Sequence, residues 1–324
     1  MPELPDVTVY VDRIRAIFGK QRLTELQVVS PLVLRTYDPP AAEFRGKELV
    51  SASRVGKRIV LEFEDDLFAV VHLMVAGRFK LRARSEALSR KLSLCAFDFG
   101  ERRLLLTEAS KKKRASLHLL RGVDAVRSLD RGGIEPLGCS LQEFAVALRR
   151  ENRTLKRALT DPSIFSGIGN AYSDEILFWA RLSPVQRTRS LTDEECERLY
   201  VATRQTLIEW TARLTREVGD RFPEKVTAFR EEMAVHGKFK APCKMCGTAI
   251  QRIAYAENEV NYCPRCQTGG RVLADRALSR LLKSDWPRRI EDLEEGRPGA
   301  ARVRSSGSVE GSGGKHGAAG PGQP

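Results

Sequence analysis

Between residues 21 and 120 the chain alternates short apolar runs with polar breaks, a period that suits strands better than helices. The runs fall at 23–29, 49–55, 58–63, 67–73, 78–83, 92–99, 103–107 and 115–120, with Glu64-Asp65-Asp66 and Gly100-Glu101 as hairpin turns. Many short strands at this spacing predict a sandwich or a barrel-like pair of sheets. Ahead of them Val7, Val11, Ile14, Ile17 and Phe18 recur at helical spacing, and Gly19 ends that helix. After residue 140 the apolar period lengthens, predicting helices over 141–150, 154–159, 171–180 and 191–217. The two regimes meet at Arg131-Gly132-Gly133-Ile134-Glu135-Pro136-Leu137-Gly138, a composition that marks a domain boundary. The fold class is therefore α+β. After Asp285-Trp286-Pro287 the pattern dissolves into Gly, Ser, Ala, Pro and mixed charge, which predicts a disordered tail over 286–324.

Composition adds a direction to this outline. With 55 Lys+Arg against 42 Asp+Glu the net charge is +13, and the tail after Ile290 holds four basic and five acidic residues, so the excess belongs to the folded part. A basic balance on folded domains predicts a polyanionic partner, nucleic acid before membrane, because no basic amphipathic helix with an aromatic face is present. No run approaches the roughly 18 apolar residues of a membrane span, and the first residues lack a basic leader with an apolar stretch, which predicts a cytoplasmic protein with no membrane partner.

Seven cysteines are unevenly placed, and four of them, Cys243, Cys246, Cys263 and Cys266, form C-x2-C-x16-C-x2-C. Each C-x-x-C turn presents two thiolates to one ion, and the residues between suffice for a returning β-hairpin. The pattern predicts one structural Zn²⁺. A closed four-thiolate shell leaves no position for a substrate water, so the metal should hold structure and do no chemistry. Cys95, Cys139 and Cys196 stand apart and read as small hydrophobes or inert thiols.

Two further segments carry candidate chemistry. The chain opens Met1-Pro2-Glu3-Leu4-Pro5-Asp6, and removal of Met1 would leave a proline secondary amine beside a carboxylate. A terminal α-amine has a reference pKa of roughly 7.7–8.0 against about 10.4 for lysine, so it can attack a carbonyl carbon near neutrality without strong tuning. A secondary amine attacking an aldehyde gives an iminium ion, an electron sink that favours elimination at the next carbon. Farther on, Phe165-Ser166-Gly167-Ile168-Gly169-Asn170 sets a Gly-x-Gly turn directly before a helix. Such a turn is either a tight interhelical connection or a helix start whose N–H groups attract phosphate, with Lys156 and Asn170 suited to contact it.

Four separated motifs together resemble the formamidopyrimidine-DNA glycosylase and endonuclease VIII family. They are Pro2-Glu3-Leu4-Pro5-Asp6-Val7; Gly56-Lys57-Arg58 with His72-Leu73 beyond it; Leu155-Lys156 through Asp161 to Gly167-Ile168-Gly169-Asn170 and Glu175; and the four-cysteine hairpin ending Cys263-Pro264-Arg265-Cys266-Gln267. Their order over about residues 2–268 is that of the family, and the opening is closer to formamidopyrimidine-DNA glycosylase. The resemblance implies a catalytic two-layer β-sandwich flanked by helices over 1–130 and a DNA-binding helix-two-turn-helix domain over 131–232. A zinc-finger hairpin with the segment after it would then occupy 233–285. It further implies a monomeric bifunctional glycosylase and abasic-site lyase of base-excision repair, bacterial forms being nucleoid-associated, acting on double-stranded DNA that holds an oxidised base, purines foremost, or an abasic site. Pro2 would attack the anomeric carbon of a flipped-out nucleotide, Glu3 would protonate the sugar ring oxygen, and Lys57 would pair with phosphate and assist proton transfer. His72 would be either a satisfied core histidine or a group near the DNA.

The chain departs from the family pattern in ways that touch specificity. Where the family's hairpin carries an arginine five residues before the third cysteine, this chain has Asn258, which cannot clamp a phosphate comparably. The methionine that fills the gap left by a flipped base aligns with Val75, next to Met74, and the usual Arg-Phe pair gives way to Lys111-Lys112-Lys113-Arg114. That run, with Lys111 at its head, is either a solvated loop or a different DNA-facing element. These departures favour, as the alternative to an enzyme, a damaged-DNA-binding protein with weak or absent turnover.

Overall fold

In the computed structural model, residues 1–255, 258–275, 280–281 and 286–294 are described. The eight predicted strands form as β1 (Glu25–Val28), β2 (Leu49–Val55), β3 (Arg58–Phe63), β4 (Leu67–His72), β5 (Gly77–Ala83), β6 (Ser93–Phe99), β7 (Arg102–Glu108) and β8 (Ser116–Arg121). They build two antiparallel sheets, ordered β1-β6-β7-β5 and β2-β3-β4-β8, so the sandwich reading holds over the barrel. The period of two decides which side chains meet. Ile59, Leu61 and Phe63 on β3, with Leu67, Ala69 and Val71 on β4, face the core between the sheets. The intervening Val60, Phe68 and Val70 pack under Val126 of a short helix, α2 (Val123–Arg127), which the apolar pattern did not predict.

The first helix, α1 (Leu4–Phe18), joins the two halves. Its Val7, Tyr10, Val11, Ile14 and Phe18 lie in the sandwich core, while Leu4 and Val9 belong to the core of the helical half. The chain's first residues are thereby pinned at the seam. The helical half comprises α3 (Leu141–Arg149), α4 (Leu155–Thr160), α5 (Asn170–Trp179) and α6 (Asp193–Val218). Capping boxes at Ser140/Glu143 and Thr192/Glu195 start α3 and α6 by satisfying N–H groups that the first turn leaves open. The boundary segment is tied into this half, since Ile134 N–H donates to Ile164 O at 3.0 Å and Ser166 N–H donates to Ile134 O at 2.9 Å.

A two-stranded hairpin, β9 (Gln251–Tyr255) and β10 (Asn258–Tyr262), carries the second cysteine pair into a short helix, α7 (Pro264–Thr268). Beyond it the expected structureless tail needs correction at its start. Val272 N–H donates to Arg288 O at 2.8 Å, Ile290 N–H donates to Gly270 O at 3.0 Å, and the buried Ile290 opens a helical turn, Ile290–Glu294. Burial of one apolar side chain and these backbone bonds hold 288–294 on the zinc-finger segment, which composition alone could not register; residues 295–324 lie outside the described residues. No helix among the described residues is long and apolar enough to cross a membrane.

Candidate active site and nucleic-acid interface

The site is assembled at the N-terminus of α5. Glu3 is the N-cap residue of α1, and its own N–H donates to Asp6 Oδ2 at 3.0 Å. Its side chain crosses the seam, where Gly169 N–H donates to Oε2 at 2.7 Å, Ala171 N–H to Oε1 at 2.9 Å and Tyr172 N–H to Oε2 at 3.2 Å. The glycine-rich helix start does attract an anion, but the anion is the protein's own Glu3 carboxylate, which takes the donors expected to meet phosphate. Leu4 N–H donates to Gly167 O at 2.9 Å and holds the two segments in register.

Lys57 arrives from the sandwich, in the β2–β3 turn where Gly56 adopts φ +59°. Its ammonium and the Glu3 carboxyl approach Gly169 so closely that a Cβ there would lie 2.5 Å from Lys57 Nζ and 2.6 Å from Glu3 Oε1. Burial lowers the Lys57 pKa, with Glu3 opposing the shift and Lys156 adding to it. Burial likewise lowers the pKa of the amine at Met1, which raises the fraction able to act as a nucleophile. Pro2 is buried behind Met1. Met1 and Lys57 both line two openings, a cavity of about 970 Å³ toward α4 and the hairpin and a smaller one of about 250 Å³ against the sandwich end. Removal of Met1 would expose the Pro2 nitrogen where the two meet.

His72 lines the smaller cavity, paired in register with Arg58 on one side and Ser116 on the other. Its Nδ1 accepts the Met74 N–H at 3.2 Å, leaving Nε2 as the protonated nitrogen. Burial, then Arg58, Lys57 and His118, push its pKa down to about 4, so the ring is neutral and carries one N–H donor. The loop holding Met74 and the 60% exposed Val75 lies beside the lysine run, since a Cβ on Gly77 would stand 3.1 Å from Ala115 Cβ. Lys111 is exposed on that second loop, which the buried Glu108 organises by accepting Arg114 N–H at 2.9 Å and Ala115 N–H at 3.0 Å.

Lys156 and Asn170 sit on the wall of the larger cavity, but both have internal partners. Lys156 is buried, with Nζ donating to Asn170 O at 2.6 Å and pairing with Asp174. The Asn170 amide donates to Glu259 O at 3.0 Å and so ties α5 to the hairpin. The expected phosphate contacts are thus structural ties first.

Sequence reading missed the group behind them. Asp174 is fully buried and meets, besides Lys156, His236 Nδ1 at 2.8 Å and Asn261 N–H at 3.2 Å. Glu175 accepts Ala234, Val235 and His236 N–H at 2.7, 2.9 and 3.0 Å, bonds that oppose the upward pKa shift caused by its burial. Two adjacent carboxylates on a helix that continues Ile176-Leu177-Phe178 were the available signal. Together they lock the segment leading to the cysteines onto α5.

The cysteines converge as expected. All four sulfurs lie within 4.8 Å of one another, with Cys243 and Cys266 Sγ 3.9 Å apart and Cys246 and Cys263 Sγ 3.5 Å apart. Tetrahedral ligation at about 2.3 Å places sulfurs about 3.8 Å apart, so the set fits one structural zinc.

Comparison with known proteins agrees with this geometry. The formamidopyrimidine-DNA glycosylase N-terminal domain matches residues 1–114, the formamidopyrimidine-DNA glycosylase H2TH domain matches 133–215, and the zinc finger found in FPG and IleRS matches 241–269. The formamidopyrimidine-DNA glycosylase of Desulfitobacterium hafniense is 32% identical over 276 residues, covering 82% of this chain and 100% of the relative. That of Thermus thermophilus is 31% identical over 277 residues, covering 83% and 100%. Among solved structures, a complex of the Lactococcus lactis Fpg with DNA containing an abasic site superposes with a TM-score of 0.72 at 23% identity, covering 82% of this chain and 99% of that one, which supports the fold.

Proposed function

The chain belongs to the formamidopyrimidine-DNA glycosylase family, and from that premise we propose that it removes oxidised bases, purines foremost, from double-stranded DNA through the Pro2 amine and then cleaves the strand at the abasic site. It is a DNA glycosylase of base-excision repair with a structural zinc finger. The observation that carries the residue assignment is the meeting of Met1, Glu3 and Lys57 at one point of the seam, in front of both cavities.

Once Met1 is removed, the Pro2 nitrogen attacks C1′ of a nucleotide rotated out of the helix, and the C1′–N bonding pair leaves with the base. The Glu3 carboxylate, fixed by three helix N–H groups, takes the proton that the Pro2 nitrogen gives up and passes it to the ring oxygen as the C1′–O bond breaks and the iminium forms. The iminium draws electrons from C2′ as a proton leaves, and the 3′ phosphate departs. Lys57, its charge weakened by burial, sits where it can carry that proton and meet the phosphate. His72 presents Nε2–H to the smaller cavity, and Lys111 stands on the loop beside Val75 to face the strands. The domain limits 1–130, 131–232 and 233–285 follow the same reading, as do a monomer and a cytoplasmic location beside the chromosome.

Borohydride trapping of untagged protein on a duplex with one abasic site tests the assignment, with Pro2→Gly alongside. The expected result is a covalent adduct that the variant loses. No adduct from wild-type protein shown to lack Met1 and to bind the duplex would leave a damaged-DNA-binding protein without turnover.

A further inference from the structure

The larger cavity is lined by five cationic side chains, Lys57, Arg153, Lys156, Arg157 and Arg187, and by no carboxylate. Three of the five are hydrogen-bonded or ion-paired within the protein, and a fourth stands beside a carboxyl. Lys57 lies against the Glu3 carboxyl, and Lys156 pairs with Asp174. Arg153 pairs with Glu151 and Asp161, and Arg187 donates to Asn152 O at 3.1 Å. Arg157 differs. It projects from α4 as an exposed residue whose guanidinium has no hydrogen-bond or ion-pair partner among the described residues. Across the cavity the wall is apolar, Ile253 and Val260 of the hairpin, and the hairpin carries asparagine at 258. An uncommitted guanidinium over a cavity without anions, opposite a wall without charge, is arranged to take a ligand that supplies both negative charge and paired acceptor oxygens.

We propose that Arg157 grips a backbone phosphate of the bound strand and supplies from α4 the positive charge that the hairpin lacks at Asn258. The inference rests on the DNA-repair reading above and assigns within it a residue that recognises no base. Its contribution is to affinity and strand register. A phosphate contact carries no sequence information, so its loss weakens binding alike for every lesion.

Counterion release sets the expected size. Each phosphate neutralised adds about 0.9 to the slope of log K against log salt, a factor of about eight in 0.1 M salt. Titration of wild-type protein, Arg157→Gln and Arg45→Gln against an abasic-site duplex from 0.05 to 0.3 M salt reads both quantities. Arg45 is exposed beyond the far end of β2 from Lys57 and serves as the control for lost surface charge. The proposal expects Arg157→Gln to lose about one from the slope and about eightfold in affinity at 0.1 M, Arg157→Lys to recover the slope, and Arg45→Gln to change neither. A slope in Arg157→Gln equal to that of wild type, or a loss matched by Arg45→Gln, overturns it. Failure of the wild-type protein itself to bind the duplex, or to trap on it, would instead overturn the functional reading beneath.

Discussion

Replacing Gly169 by alanine tests the seam directly. The residue's φ of −131° and ψ of −156° suit any amino acid, so the substitution adds no backbone strain. The added methyl instead meets Glu3 Cδ and Lys57 Nζ, both 2.5 Å from the Cβ position. Ordinary contact begins near 3.4 Å, so both side chains must withdraw by about 1 Å. Glu3 cannot withdraw and keep three N–H donors. A hydrogen bond to a charged group is worth about 1.5–3 kcal/mol, and the entropy lost from the unfolded chain on Gly→Ala returns about 0.4–1 kcal/mol, so loss of one bond predicts a net cost of about 1.5 kcal/mol. Because a 1 Å misplacement of reacting groups costs about 100-fold, single-turnover trapping on an abasic duplex should fall by about that factor. Gly138→Ala is the control: its nearest neighbours stand 3.9 Å away, and it should trap normally with stability unchanged or slightly raised. Urea unfolding and borohydride trapping check both proteins. A Gly169→Ala protein within about 0.5 kcal/mol of wild type that traps at the wild-type rate would refute the claim that the helix start positions Glu3.

Three other outcomes follow from the same geometry. The His72 pKa of about 4 lies below its unfolded value of 6.5, so its contribution to stability is full above pH 6.5 and is lost as pH falls through 4, on the order of 3 kcal/mol in all; ring-nitrogen NMR should find it neutral as the Nε2–H tautomer at pH 6, and a midpoint near 6.5 would contradict this. Asp174→Asn should cost about 3–5 kcal/mol by leaving Lys156 buried without its counter-charge, and should raise hydrogen exchange at Asn261 and His236 before the sandwich loosens. Chelation of zinc should open 241–269 to exchange and abolish DNA binding while β2 to β8 stay protected, because no strand of the sandwich depends on the cysteines; protection of the hairpin that survives demetallation would exclude zinc as its organiser.

How far the sequence could be read depended on whether the signal was local. The eight strands are legible because each is its own short apolar run bounded by polar or turn residues, and their ends fall within about two residues of expectation. The zinc site is legible because its two pairs are each local and the hairpin between them is short. Helix α2 was not, since five residues after Gly122 make too short a window for a helical period. Nor were Asp174 and Glu175, adjacent in sequence but met by partners about 60 to 90 residues farther along. Gly169 shows the general reason. Its lack of a side chain correctly signalled a close approach at the helix start, and phosphate was the natural occupant to assign. The space is filled by Glu3 and Lys57, brought from two other parts of the chain. Glycine and an open helix N-terminus specify room and positive potential, and any anion within reach satisfies both. Because Glu3 occupies that position, the helix dipole acts on the Glu3 carboxylate, and the N–H donors of Gly169, Ala171 and Tyr172 are not open to a second anion.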